Sequence, residues 1–177
     1  IFSDYQRSQY LDLLWKLNMT SGARIEQRIA SMRSNTLIKE YFPGLTTWAA
    51  EENADLVKYQ TPQGGIALLP YGDADLELSV KLASLNLGVF DYNALTQYFT
   101  QITNDPSETR ERTIIALAGL AALDEPVLQE LLIVGEVKDL NDKEKLYLSL
   151  AFLELGDNHN AAKIFQTLLK TKSETLG

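Results

Sequence analysis

Three acidic residues at alternating positions, Asp73, Asp75 and Glu77, form the first group in the chain whose types and spacing suit chemistry. Carboxylates grouped this way serve as a general acid–base pair or as oxygen ligands for a hard cation such as calcium. On a helix, positions two apart point about 200° away from each other, so Asp75 and Glu77 do not easily share one metal ion. The plainer account is an N-cap followed by acids that favour the positive end of a helix dipole. His159 is the one histidine, and it sits among Asp157, Asn158 and Asn160, residue types of a tight connection between helices. The chain has no cysteine and no Gly-x-Ser-x-Gly elbow. Disulfides, thiolate nucleophiles and cysteine-ligated zinc or iron–sulfur sites therefore have nothing to build on, and a Ser-His-Asp arrangement would rest on His159 alone.

Gly64-Gly65 offers a backbone able to cradle a phosphate, but no Lys-Ser/Thr pair follows and no strand leads into it. A turn that lets the chain pass close to a neighbouring helix explains the pair better. Trp15, Tyr41, Phe42, Trp48, Tyr59 and Tyr71 gather in the first half of the chain. Such aromatics fill a core, rim a protein contact or line a ligand cavity. Of all these residues, Asp73, Asp75, Tyr71, Tyr59 and Trp48 are the candidates for an interaction surface. None is assigned as catalytic, cofactor-binding or metal-ligating, and no cofactor is expected.

The elements that must position these residues read as helices throughout. A first helix starts after Ser3, carries Tyr5, Leu11, Leu14, Trp15 and Asn18 on one face, and stops near Ser21-Gly22. A second runs from Ala23 to Arg33, and Leu37–Phe42 reads as a separate short turn ended by Pro43-Gly44. Thr46 or Thr47 caps a third through Val57 and Tyr59. The punctuated stretch 60–72 is a loop with room for a very short extended segment. Asp73 caps a helix whose only polar stripe is Glu77, Lys81 and Ser84, so most of its circumference should be buried.

Asp91 caps the next helix, and Pro106-Ser107 opens one that is apolar all round from Ile114 to Leu123. Pro126 falls in the first turn of its partner. Asn141 or Asp142 caps a helix ending at Leu155-Gly156, and Asn158 caps the last. No segment alternates with period two for more than a few residues. The predicted fold is all-α: stacked helical hairpins forming a partial α/α toroid or a superhelical arc. It is one domain over residues 1–177 with a possible sub-boundary near 60–72.

Two hairpins repeat. Arg112–Leu132 set against Lys145–Phe165, at an offset of 33, pairs Ile114 with Tyr147, Leu117 with Leu150 and Ala118 with Ala151. A period of this size is what stacked two-helix units produce, because one hairpin cannot bury its own apolar face. The run Leu146–Asp157 with Ala161-Ala162 and Phe165 resembles a tetratricopeptide hairpin. The stretch from Val57 to about Lys170, with Tyr59-Gln60-Thr61-Pro62-Gln63-Gly64-Gly65 before an acid-capped helix, is similar to the α/α-toroid domains of bacterial α2-macroglobulin-like proteins and the related prenyltransferase/squalene-cyclase repeats. The chain lacks the cysteine that the thioester of that superfamily needs, has Ile66-Ala67 where cyclases carry an aromatic, and echoes their aspartate cluster only in Asp73-Ala74-Asp75. The resemblance implies a fold type and a bacterial cell-surface context rather than an activity.

Charge narrows the partners. A formal net charge of −8, with sixteen scattered basic residues, argues against nucleic acid, whose phosphates demand clustered Lys and Arg. The longest apolar run, Ile114–Leu123, is about half of the ~20 residues a spanning helix needs, so no membrane insertion is expected. The chain begins at Ile1 with no visible signal peptide, which suggests a piece of something longer. Asn18-Met19-Thr20 fits a glycosylation acceptor by pattern alone. The expected role is a non-catalytic scaffold or protein-interaction domain of a larger surface or secreted bacterial protein, acting through shape. Its partner is a neighbouring domain or a second copy covering an apolar end helix. Two rival readings are a toroid enzyme fragment of the lyase or cyclase kind, with Asp73 and Asp75 at a cavity, and a tetratricopeptide-type adaptor for peptide tails.

Overall fold

The computed structural model describes residues 5–20, 22–45 and 56–175. Among them eight α-helices follow in order: α1 (Tyr5–Asn18), α2 (Ile25–Tyr41), α3 (Leu76–Ser84), α4 (Tyr92–Asn104), α5 (Arg110–Ala122), α6 (Leu128–Gly135), α7 (Asp142–Glu154) and α8 (Asn158–Thr175). A 3-10 turn, Val57–Tyr59, precedes α3. The only extended pairing among the described residues is two isolated antiparallel bridges, Gln60 with Ile66 and Ala67 with Ala74. The fold is all-α, and no described helix is long and apolar enough to cross a membrane.

Helix α5 is the centre of the packing. It lies against α3, α4, α6 and α7, while α7 also packs on α8 and α1 pairs with α2. Every residue from Ile114 to Ala121 is buried, as the apolar run predicts for a helix with neighbours on all sides. Gly119 is what allows α4 so close: a Cβ there would lie 2.5 Å from the Phe99 ring. Helix α3 likewise buries Leu76, Leu78, Ser79, Val80, Leu82 and Ala83. The hairpin α1–α2 joins this core through Ile25 and Ile29. Two hydrogen bonds hold it there: Ile25 N–H donates to the Leu68 carbonyl at 3.1 Å, and the Tyr59 hydroxyl donates to the Ala23 carbonyl at 2.6 Å.

Several boundaries differ from the sequence reading, each for a local reason. Helix α2 runs unbroken through Leu37 to Tyr41. Ser34 and Thr36, which look like breakers, turn their hydroxyls back onto the Ser31 and Met32 carbonyls and stay within the helix. Asp75, not Asp73, caps α3, its carboxylate accepting from Leu78 N–H at 2.9 Å. The chain stays extended to that point because Ala74 bridges Ala67 and Asp75 N–H donates to the Ile66 carbonyl. Pro106-Ser107 belongs to a turn in which Asp105 accepts from Ser107, and Thr109 caps α5 three residues later. Pro126 precedes α6 rather than entering it. Asp91 caps α4 as read, and of the two candidates for α7 it is Asn141 that caps, in a reciprocal capping box with Glu144. Asp157, rather than Asn158, caps α8 by accepting from Asn160 N–H at 3.1 Å. The proposed cap at Thr46 or Thr47 lies outside the described residues.

The caps also correct the repeat. Thr109 and Asn141 stand 32 positions apart, and so do the left-handed residues after each helix, Asp124 (φ 60°) and Gly156 (φ 78°). The following amides close the same loop, Glu125 N–H onto Leu120 and Asp157 N–H onto Phe152. The first helices therefore match at 32, not 33. The second helices, opening at Leu128 and Asn158, match at 30 because their connection is two residues shorter. In this register Ile115, Ala116, Gly119 and Leu120 of α5 fall on Tyr147, Leu148, Ala151 and Phe152 of α7, and all eight are buried.

Candidate interaction surfaces

The N-terminal ends of α3, α5 and α7 meet around a polar cleft of about 450 Å³ lined by Asp75, Glu77, Thr109, Glu111, Arg112 and Lys143, with Ile115 at its apolar side. The Lys143 ammonium contacts Glu77 and lies 3.2 Å from Glu111. Glu77 also accepts from the Tyr147 hydroxyl at 3.0 Å. The Lys143 hydrogen bond holds the Glu77 carboxyl below its ordinary range and, in return, raises the Lys143 ammonium. Burial first, and Glu77 second, push the Tyr147 phenol up. Beside the cleft, the Arg110 guanidinium grips buried Glu144 with two bonds of 2.8 and 3.0 Å and reaches Asp139 at 3.0 Å. Glu144 also accepts from Asn141 N–H at 2.7 Å, and the Arg110 bonds keep its carboxyl low. These charges are paired with one another across α3, α5 and α7, so the cleft is a seam between helices.

The residues singled out by sequence scatter. Asp73 is exposed, and Asp75 is engaged as the α3 cap. Glu77 lies on the seam, and no group of three or more His, Asp or Glu among the described residues could hold a metal ion. Tyr59 is only 1% exposed and belongs to the core, so it offers no surface. Tyr71 is 83% exposed on the loop before α3. Trp48 lies outside the described residues. His159 is exposed in the first turn of α8. The glycine pair has the close-approach geometry read from sequence: a Cβ on Gly64 (φ 94°) would sit 2.1 Å from the Ala94 carbonyl oxygen, and one on Gly65 would strike Tyr98 and Ala74. Gln60, from the same loop, bridges to Asp91, donating to its carbonyl and accepting from its N–H, each at 2.8 Å.

Among the described residues, apolar surfaces stand open on α7, on α6 and between α1 and α2; the sequence reading expects an uncovered apolar end helix without saying which helix it is. On α7, Leu146, Leu150 and Leu153 recur at helical spacing and are 38%, 41% and 54% exposed. Their register partners on α5 are Ile114, Ala118 and Ala121, all buried. On α6, Leu128, Leu132 and Ile133 are exposed while Leu131 is buried, with Ile133 on the side away from it. Between α1 and α2 an open groove of about 630 Å³ is lined by Arg7, Tyr10, Leu13, Leu14, Leu37, Tyr41 and Phe42. The Arg7 guanidinium closes one end, donating to the Tyr41 carbonyl at 2.8 Å and lying 5.2 Å from the centre of the Phe42 ring. The i, i+3 and i, i+4 spacings of these residues are present in the sequence. What it lacks is any sign of which apolar stripe a neighbouring helix covers.

No family model matches the chain, and comparison with curated proteins and with solved structures finds no match.

Proposed function

We propose that this chain is a non-catalytic scaffold domain of a larger, secreted or surface-attached bacterial protein, whose stack of hairpins is continued by a further helical hairpin seated on α7. One observation carries the reading. The positions of α7 that lie open, Leu146, Leu150 and Leu153, are the positions that the surrounding helices cover on α5. A helix carrying leucine at three such places fits a covered environment better than water. The occupant is therefore a packing helix pair, and specificity lies in the shape of the α7 face. The state of the carboxylates supports a role without chemistry: Asp75 caps α3, while Glu77, Glu111 and Glu144 are paired with Lys143 and Arg110.

Leu150→Asp tests the reading. In the isolated chain it should change unfolding free energy by no more than about 1 kcal/mol, the behaviour of a surface site. In the parent protein it should cost about 2–5 kcal/mol, as for a charge placed in a packed interface. Equal, small effects in both settings would overturn the proposal, and so would a parent sequence with no further helical unit.

A further inference from the structure

We infer that the chain binds a second copy of itself, with the outer ridge of α6 seated in the groove between α1 and α2 of the next molecule. This contact uses other faces than α7 and stands independently of the scaffold reading.

The ridge is anomalous by comparison with its own repeat. Leu128, Leu132 and Ile133 of α6 occupy the places of Asn158, Ala162 and Lys163 in α8. The same outward positions are thus polar or small in one helix and large aliphatic in the other. Ile133 is 63% exposed. Burying three such side chains is favourable at roughly 25 cal/mol per Å², and their spacing suits a helix laid in a groove.

The groove is apolar like the ridge and lies in a segment of the opposite charge. It is lined mainly by aromatic and aliphatic side chains, with Arg7 at one end. Arg33, exposed on α2, precedes Leu37 and Tyr41 on one stripe, i, i+4 and i+8. Residues 1–45 hold six Lys or Arg against four Asp or Glu. The segment 123–140 that carries the ridge holds five acids against one lysine. Residues 142–175, around the α7 face, hold five of each, so that face lacks the charge complement. Two grooves facing each other would set basic surface against basic surface. Ridge against groove is the pairing that joins apolar surface to apolar surface with opposed charge. It joins unlike faces, so it propagates from copy to copy unless the rotation closes a ring.

Sedimentation of the intact chain from micromolar to near-millimolar concentration tests this. Association should grow with concentration and weaken by about tenfold or more as salt rises from ~50 to ~500 mM, because opposed charges are screened. Leu132→Lys with Ile133→Lys removes the ridge, and Leu13→Glu with Leu37→Glu removes the groove; all four positions are exposed, and unchanged circular dichroism confirms folding. Each variant alone should be monomeric. Their equimolar mixture should regain a complex, since one intact ridge then meets one intact groove. A wild-type chain that stays monomeric throughout overturns the inference. So does a mixture that stays monomeric, or a ridge variant that associates as the wild type does, which would give the groove a different occupant.

Discussion

Ala118 in α5 and Leu150 in α7 hold the same place relative to their caps, yet one is sealed and the other stands two-fifths open. The two hairpins share their N-cap spacing, their left-handed terminator and the amide that closes the terminal loop. They differ in surroundings. Helix α5 has α3, α4, α6 and α7 packed around it, whereas α7 packs on α5, α6 and α8 and reaches α3 through Lys143 and Tyr147 on Glu77. Caps and turns thus set the phase of each helix, and neighbours decide which phase is hidden. Side-chain size follows the cover: the crowded helix carries Ala118, Gly119 and Ala121 where the open one carries Leu150, Ala151 and Leu153.

The sharpest way to break this comparison is to put the same charge in both places. Ala118→Asp should cost about 4 kcal/mol or more, because a carboxylate is forced into a site without a partner. Leu150→Asp in the isolated chain should stay within about 1 kcal/mol. Urea unfolding reads both, and equal losses would dissolve the equivalence. A finer version exchanges the next residue. Gly119→Ala should destabilise by about 1–3 kcal/mol through overpacking against Phe99, although alanine gains about 1 kcal/mol in helix propensity. Ala151→Gly should also lose about 1 kcal/mol or more, here from propensity and a lost buried methyl. Each hairpin then prefers its own residue at one shared position; a stabilised Gly119→Ala protein would show that α4 does not pack as tightly as described.

The smallest effect concerns the seam that joins the two hairpins to α3. Glu77 and Glu144 have folded pKa values held below the ordinary 4.5, first by Lys143 and Arg110 respectively. Their contribution is therefore full above about pH 4.5 and is lost as pH falls through the lowered values. Urea midpoints should drop as pH is taken from 6 toward 3, and Glu77→Gln should flatten part of that slope. Glu77 is two-fifths exposed, so its share should be below about 1 kcal/mol. An unchanged slope would leave Lys143 without a role in clamping α3 to α7.

Much of the helical plan was legible because apolar spacing and capping residues act locally. The all-round apolar run in α5, a cap at Asn141 or Asp142 opening α7, and the close passage enforced by Gly64-Gly65 all follow from short-range chemistry. The errors came where a longer contact prevailed. Asp73 was displaced as a cap by Asp75 because Ile66 and Ala67 hold the chain extended through Ala74. The repeat read at 33 because leucines and alanines match one another at several shifts; only the caps fix 32 and 30. The open surfaces were hidden for a related reason. Leu146 and Ile114 are the same kind of letter, and their exposure depends on helices remote in sequence. Tyr59 shows the converse, an aromatic read as surface whose hydroxyl is anchored on Ala23.

That anchor has a mechanical consequence. Among the described residues, Tyr59 and Leu68 hold the start of α2 by two hydrogen bonds, with Ile25, Ile29 and Met32 as the apolar grip, while α5 is buried from Ile114 to Ala121. Tension applied at the N-terminus would reach this small clasp before it reached α5. The first pair of helices should peel away as a unit at low load, leaving the rest of the domain to resist as a separate, stronger spring.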